Sequence, residues 1–358
     1  MDIRDRRELT ALRLAAQHIA DGVSASPADT VRWMLGIQAQ DLPGARWSVG
    51  LRTPGATDAS VAAALDSGAI VRTWPMRGTL HLVAPEDVRW MMRVAARRQA
   101  TTAAARRRDL GITDSDLARA GDIAVDLMGG GRAVRRDTLL AEWERAGIAT
   151  ASQRGYQLIW NLAHSALIVF GPGDAKHPTF ALLEEWVAPA ADLDDEGALA
   201  EFAARYFRSH GPATLQDLAS WASITLGDAR AGVAQASGLE EREFGGVTHY
   251  LAEGQEPARA GVHLLPGFDE YLLGYRDRSG PLREEFSQRI VPGSNGIFLP
   301  TVVVDGQVVA TWRRTETAKS MRIDLSPFTT LTKKGYAGYQ RELKEYGRFV
   351  GKPAIAGA

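Results

Sequence analysis

The sequence predicts a mainly α-helical fold with β wings: an α+β chain of three tandem winged helix-turn-helix units closed by a C-terminal β-rich domain. Three observations predict it. An order of three helix-like segments followed by strand-like segments recurs along residues 1–260. Capping residues open the helices, and glycine or proline ends them. Beyond residue 260 the pattern changes to short apolar strands around Asp305-Gly306, a strong two-residue hairpin signal.

Taken in order, the first unit (1–112) opens with an apolar-periodic helix over Leu9–Ala20. Ser26-Pro27 opens a second, with Ser26 as N-cap and Pro27 at the first helical position. This helix runs through Val31–Leu35, Gly36 loosens the turn, and Pro43-Gly44 ends the segment. Thr57-Asp58 opens a third helix over Ala59–Leu65, and Ala69–Trp74 and Gly78–Val83 make a wing around Pro75–Arg77. The second unit (113–190) has helices over Asp114–Met128, Arg136–Ala146 and Ser152–Ala163, broken by Gly129-Gly130-Gly131, and a strand Ala166–Phe170 closed by Gly171-Pro172-Gly173. The third (191–260) has helices over Gly197–Ser209, Thr214–Ala222 and Leu226–Ala236, then a hairpin across Gly245-Gly246. The last domain (261–358) has strands Val262–Leu265, Phe298–Val304 and Gln307–Trp312, a closing helix Leu331–Phe349 and a loose tail after Gly351.

Composition bounds the function. The absence of cysteine removes disulfides, cysteine nucleophiles and cysteine-ligated zinc, and fits a reducing compartment. Met1–Glu8 is charged with no apolar signal core, and no apolar run approaches a membrane span, so a cytoplasmic protein with no membrane partner is expected. Net charge is −1, yet residues 181–260 hold 5 basic against 14 acidic side chains, which makes the third unit a scaffold rather than a DNA reader. His249 and His263 lack ligand partners at metal spacing, and no phosphate loop or dinucleotide fingerprint occurs, so no metal and no cofactor are expected.

The chemistry-bearing stretch is Val31–Asp41. If the chain is extended after Gly36, Gln38 and Gln40 point to the same side. Two amides offer both donors and acceptors and can hold one water between them. The plainer reading is two glutamines bonded to solvent or nearby backbone. Four stretches carry a resemblance that favours the first: Leu35-Gly36-Ile37-Gln38-Ala39-Gln40; Thr73-Trp74-Pro75-Met76-Arg77-Gly78-Thr79-Leu80-His81; Leu265-Pro266-Gly267-Phe268-Asp269-Glu270-Tyr271-Leu272; and Val304-Asp305-Gly306-Gln307-Val308 through Thr311-Trp312. With these, the chain resembles the AlkZ-like winged-helix DNA glycosylases. The resemblance implies three winged helices and a β-domain around a concave DNA-binding channel. It also implies a monofunctional glycosylase excising N7-alkylated purines from double-stranded DNA, in some members from interstrand crosslinks, with Gln38 and Gln40 as the catalytic pair.

Several further residues follow as candidates. Arg77 beside the first wing, Arg276, and Arg313 and Arg314 after the second hairpin strand are expected DNA contacts, and His81 is expected either to join them or to be satisfied within the fold. Asp305-Gly306 or the Gly293–Gly296 loop is expected to probe the minor groove, or to be an ordinary turn. Arg89, Arg93 and Arg97 share a helix face, solvated or on phosphate, and Arg106-Arg107-Arg108 is equally open. Asp269 is expected to pair with Arg276 and brace the domain, or to face the substrate channel. The competing reading is a winged-helix transcriptional regulator without chemistry, reading DNA with Ala59–Leu65 or Ser152–Ala163; the discriminating feature is Gln38 with Gln40. A cytoplasmic, nucleoid-associated monomer is expected on the first reading.

Overall fold

A computed structural model describes residues 1–20, 22–173, 176–190 and 193–357. Helix α1 (Ile3–Ala16) starts at Asp2, whose side chain accepts the Asp5 N–H. The first unit touches it where Trp33 Nε1 donates to the Ala16 carbonyl at 2.7 Å. Arg13 Nε donates to the Pro212 carbonyl at 2.9 Å, and Gln255 Nε2 donates to the Leu12 carbonyl at 2.9 Å, which fixes α1 on the third unit. The first unit consists of α2 (Pro27–Met34), β1 (Ile37–Gln38), α3 (Leu42–Arg52), α4 (Asp58–Asp66), β2 (Val71–Met76) and β3 (Thr79–Val83). Its sheet order is β1–β3–β2. Ser26 caps α2 and Pro27 opens it, as expected. Pro43-Gly44 does not end the segment; it lies in the first turn of α3, which the sequence reading had missed. Proline suits that turn because its missing N–H has no intrahelical partner there.

Helix α5 (Val88–Asp109) leads to the second unit, α6 (Asp114–Met128), β4 (Val134–Arg135), α7 (Arg136–Arg145), α8 (Arg154–His164), β5 (Ile168–Phe170) and β6 (Thr179–Leu182), with sheet order β4–β6–β5. Gly171-Pro172-Gly173 closes β5 as expected, and the unit goes on to a further strand, β6. The α5 face carrying Arg89, Arg93 and Arg97 is committed to acidic partners. Arg89 lies 3.1 Å from Glu184, Arg93 lies 3.6 Å from Asp195, and Arg97 also pairs with Asp195. After the short α9 (Leu183–Trp186) the third unit follows as α10 (Asp195–His210), α11 (Leu215–Ala222), α12 (Leu226–Gln235) and the hairpin β7 (Leu239–Phe244) and β8 (Val247–Ala252). Thr214 and Asp217 form a capping box that opens α11. Ala213 bridges to Tyr250 of β8, the place that β1 takes on β3 and β4 takes on β6. One strand-pairing order thus recurs three times.

The last hundred residues hold β9 (Val262–Leu265), α13 (Glu270–Leu273), α14 (Ser287–Ile290), β10 (Thr301–Val304), β11 (Gln307–Glu316), β12 (Met321–Pro327), α15 (Lys333–Val350) and β13 (Ala354–Ala356). Five strands form one sheet in the order β13–β12–β11–β10–β9. The tail expected to be loose instead pairs in parallel with β12, because that edge offers unpaired backbone groups.

The apolar cores cut across the units. Val31, Met34, Trp47, Val61 and Leu82 of the first unit share a cluster with Leu264, Val302, Trp312, Tyr339 and Phe349 of the last domain. Leu35, Val71 and Met76 of the first unit join a second cluster with Phe202, Tyr206, Trp221 and other residues of the third. The first unit is therefore held from both sides by segments more than a hundred residues away.

Candidate active site

Leu35 ends α2 at φ 62°, a left-handed turn that swings the chain into β1. A Cβ on the next residue, Gly36, would lie 2.9 Å from Met76 Cε, the movable end of that side chain. β1 then pairs with β3, placing Gln38 opposite His81. The Ala39 N–H donates to the Leu80 carbonyl at 2.7 Å, and the Arg72 guanidinium donates to the Ala39 carbonyl at 2.8 Å. With the backbone so fixed, the alternation of an extended chain brings Gln38 and Gln40 to one side. Gln38 Nε2 donates to Gln40 Oε1 at 3.3 Å, and the Gln40 N–H donates to Gln38 Oε1 at 3.3 Å. Gln38 is 6% exposed and Gln40 is exposed. The amides touch each other, which leaves Gln38 Nε2 with a second N–H and Gln40 Oε1 with a second lone pair.

The group that anchors this pair was not singled out from the sequence. Glu270, fully buried at the start of α13, accepts the Gln38 backbone N–H at 3.1 Å through Oε1 and the Trp221 Nε1–H at 2.8 Å through Oε2. Arg77 approaches Oε1 at 3.9 Å and His210 approaches Oε2 at 3.8 Å. Burial acts to raise the pKa of Glu270, but the approach of His210 and the charge of Arg77 outweigh it and hold the carboxyl at about 2. Glu270 is therefore an ionised centre shared by the first unit, the third unit and the last domain. Its neighbour Asp269 takes both terminal nitrogens of the buried Arg52 at 2.9 Å and the Ser48 hydroxyl at 2.7 Å. Asp269 braces the domain as expected, but its partner is Arg52 of α3 and not Arg276. The visible signal was an Asp-Glu pair opening a short apolar helix, where acidic side chains cap the backbone; Asp269 does accept the Tyr271 N–H at 3.0 Å.

The structure redistributes the expected DNA contacts. His81 is wholly buried, so it cannot reach a phosphate. Its Nε2 accepts from Arg77 at 3.0 Å, which leaves Nδ1–H to donate to the Thr79 carbonyl at 2.9 Å, since a guanidinium only donates. Burial and then the Arg77 charge push its pKa down to about 3. His81 is neutral, with its lone pair already used, and is no general base. Arg77 itself turns inward toward His81 and Glu270 instead of lying along the wing. Gly306 is buried: a Cβ there would overlap the Thr10 hydroxyl, and the Gly306 carbonyl accepts from Tyr271 OH at 2.8 Å. With Asp305 N–H bound to the Gly261 carbonyl at 2.8 Å, the Asp305-Gly306 turn is docked on α1 and cannot enter a groove. Arg276 is exposed while its backbone N–H is held by Asp217 at 2.8 Å. Arg313 is exposed, and Arg314 is half-buried, 3.6 Å from Asp41. The Gly293–Gly296 loop is exposed. The exposed hairpin tip that the sequence reading overlooked is Thr317–Lys319, between β11 and β12.

A pair of neutral amides can orient a nucleophile but not deprotonate one. A family model described as DNA glycosylase AlkZ-like matches residues 31–349. A curated relative from Streptomyces sahachiroi, an interstrand DNA cross-link repair glycosylase, is 25% identical over 324 residues, covering 86% of this chain and 87% of its own length. The solved structure of the Streptomyces sahachiroi DNA glycosylase AlkZ shares the fold, with a TM-score of 0.79 at 24% identity over 98% of this chain and 99% of that one. The chain is a DNA glycosylase. It belongs to the AlkZ-like family.

Proposed function

We propose that this glycosylase hydrolyses the N-glycosidic bond of N7-alkylated purines in duplex DNA, using a water positioned by Gln38 and Gln40. The observation that carries the reading is the amide contact on a backbone pinned by Glu270. Alkylation at N7 makes the base cationic and already a good leaving group. The enzyme then has to place a water at the anomeric carbon and stabilise a developing oxocarbenium ion, and fixed amides contribute by positioning. Such a site acts on cationic lesions and spares unmodified purines. The relative's crosslink-repair activity supports extending the substrates to bulky adducts and interstrand crosslinks.

The threefold strand-pairing order supports three tandem winged helices, with the last domain completing a concave channel for DNA. The probe that presses on the duplex is the β11–β12 hairpin, with exposed Arg313 on its strand and Lys319 at its tip, in place of the docked Asp305-Gly306 turn. The protein works as a monomer, in the cytoplasm on the nucleoid. Among the described residues no helix is long and apolar enough to cross a membrane.

The test is release of N7-methylguanine from methylated duplex DNA, leaving an abasic site. Gln38→Ala combined with Gln40→Ala abolishes release while duplex binding persists. A double variant that releases base as fast as the parent removes the assignment. A regulator without chemistry would release nothing in either form.

A further inference from the structure

Pro266-Gly267-Phe268 leads into Glu270, which anchors the Gln38 backbone, and its last residue is held in an unusual way. Pro266 packs on the first turn of α3, just past Gln40: a Cβ on Gly44 would lie 3.5 Å from Pro266 Cβ. On the other flank, Glu270 holds the Gln38 N–H at 3.1 Å. In the chain Phe268 thus lies between a residue packed on α3 and one bound to the Gln38 backbone. Its backbone adopts φ 60°, the left-handed region that a bulky side chain rarely enters, and its ring is only half-buried. A turn that only had to change direction would carry glycine here. Strain of this kind at a half-exposed aromatic points to a task for the ring.

The ring is also backed. Phe298 lies with its centroid 6.4 Å from that of Phe268 at 50°, and the Arg278 guanidinium lies 4.9 Å over Phe298. Arg278 is itself fixed by donating to the Leu272 carbonyl at 2.7 Å. Gly267 permits the arrangement, since a Cβ there would lie 2.7 Å from the Phe298 carbonyl oxygen.

We propose that Phe268 is a stacking platform that selects the charged form of the damaged base, an N7-alkylpurinium cation, by its aromatic face. This rests on the reading of the chain as an alkylpurine glycosylase. The face of a phenyl ring is electron-rich and attracts a planar cation beyond the stacking it gives any base. The glutamine amides carry no net charge and Glu270 already faces Arg77, so the ring adds an attraction for a cationic base that these groups do not supply.

Two duplex probes separate charge from shape. One carries 2′-fluoro-N7-methylguanosine, a cation that resists cleavage because fluorine destabilises the oxocarbenium ion. The other carries 7-deaza-7-methylguanosine, of the same shape and neutral. The parent binds the first about tenfold tighter than the second, and Phe268→Tyr keeps that ratio. Phe268→Leu, which keeps bulk without a π face, brings the two within about twofold, and slows single-turnover release of N7-methylguanine by about tenfold. Phe268→Gly suits the left-handed backbone, so it folds, and it too loses the preference. A ratio near one in the parent, or an unchanged ratio in Phe268→Leu and Phe268→Gly, overturns the proposal. A parent that releases no N7-methylguanine overturns the glycosidic reading itself, a result distinct from a parent that cuts but ignores charge.

Discussion

Replacing Glu270 by glutamine keeps the shape of the side chain and removes its charge. One oxygen can still accept the Gln38 N–H. The new amide nitrogen then faces Trp221 Nε1–H across 2.8 Å, donor against donor. Arg77, 3.9 Å away, loses its counter-charge. Breaking a buried pair from one side costs about 3–5 kcal/mol. The long separation and the partial exposure of Arg77 favour the lower end, about 3 kcal/mol. A second route agrees. The native carboxyl sits at about 2 against about 4.3 for a free glutamate, and a gap of roughly two units is worth about 3 kcal/mol. The sign follows from linkage: a depressed carboxylate stabilises the fold above its unfolded pKa, and that contribution is lost as pH falls from about 4.3 toward 2. Urea unfolding followed by tryptophan fluorescence should place Glu270→Gln about 3 kcal/mol below the parent at pH 7, with the gap closing toward pH 2.5. Base release should fall by about a hundredfold, since a small displacement of Gln38 misplaces the water. Equal stability at pH 7, or a gap that does not narrow in acid, would refute the ionised centre.

Three further outcomes are expected. Gln40→Ala alone removes an exposed side chain, so its unfolding midpoint stays within about 0.5 kcal/mol of the parent while single-turnover release collapses; a matching loss of stability would mean Gln40 is structural. Arg313→Ala lowers affinity for undamaged duplex and reduces the slope of log affinity against log salt by about one, as measured by fluorescence anisotropy across a salt series; an unchanged slope takes Arg313 off the phosphates. Gly50→Ala drives a methyl group into the ring of Phe349 and costs about 1–3 kcal/mol of stability, read from the same urea curves; a neutral result would mean α3 and α15 can part without strain.

The legible parts of the chain were those where local chemistry acts alone. Ser26-Pro27, Thr214 with Asp217 and Asp305-Gly306 each fixed a cap or a turn that the structure places where expected. Pro43-Gly44 misled because the same dipeptide ends one segment and opens the next, and only tertiary contacts decide which. β6 and β13 were invisible because short strands depend on a partner edge, not on their own pattern. That Gln38 and Gln40 lie on one side of the chain was readable from their spacing. Glu270 was not, because a buried carboxylate and a solvated one look alike in a sequence. The same holds for Gly306, whose turn signal suggested an exposed tip where the fold puts packing.

The placement of Glu270 has a consequence for the chemistry. An amide pair on a flexible loop would orient water no better than solvent does, so its value depends on how rigidly the backbone of Gln38 is held. Here that backbone is held by β3 on one side and by a charge from residue 270 on the other, with Trp221 of a third segment fixing the charge. No single unit contains a working site. The first unit supplies the amides, but its own core is completed by the last domain and the third unit. Excised alone, it would leave Leu35, Leu82 and Trp47 without their cover and the Gln38 N–H without its acceptor. A site assembled from parts so far apart in sequence couples catalysis to closure of the whole chain. A destabilising change at any of these joints should therefore lower base release before it unfolds the protein.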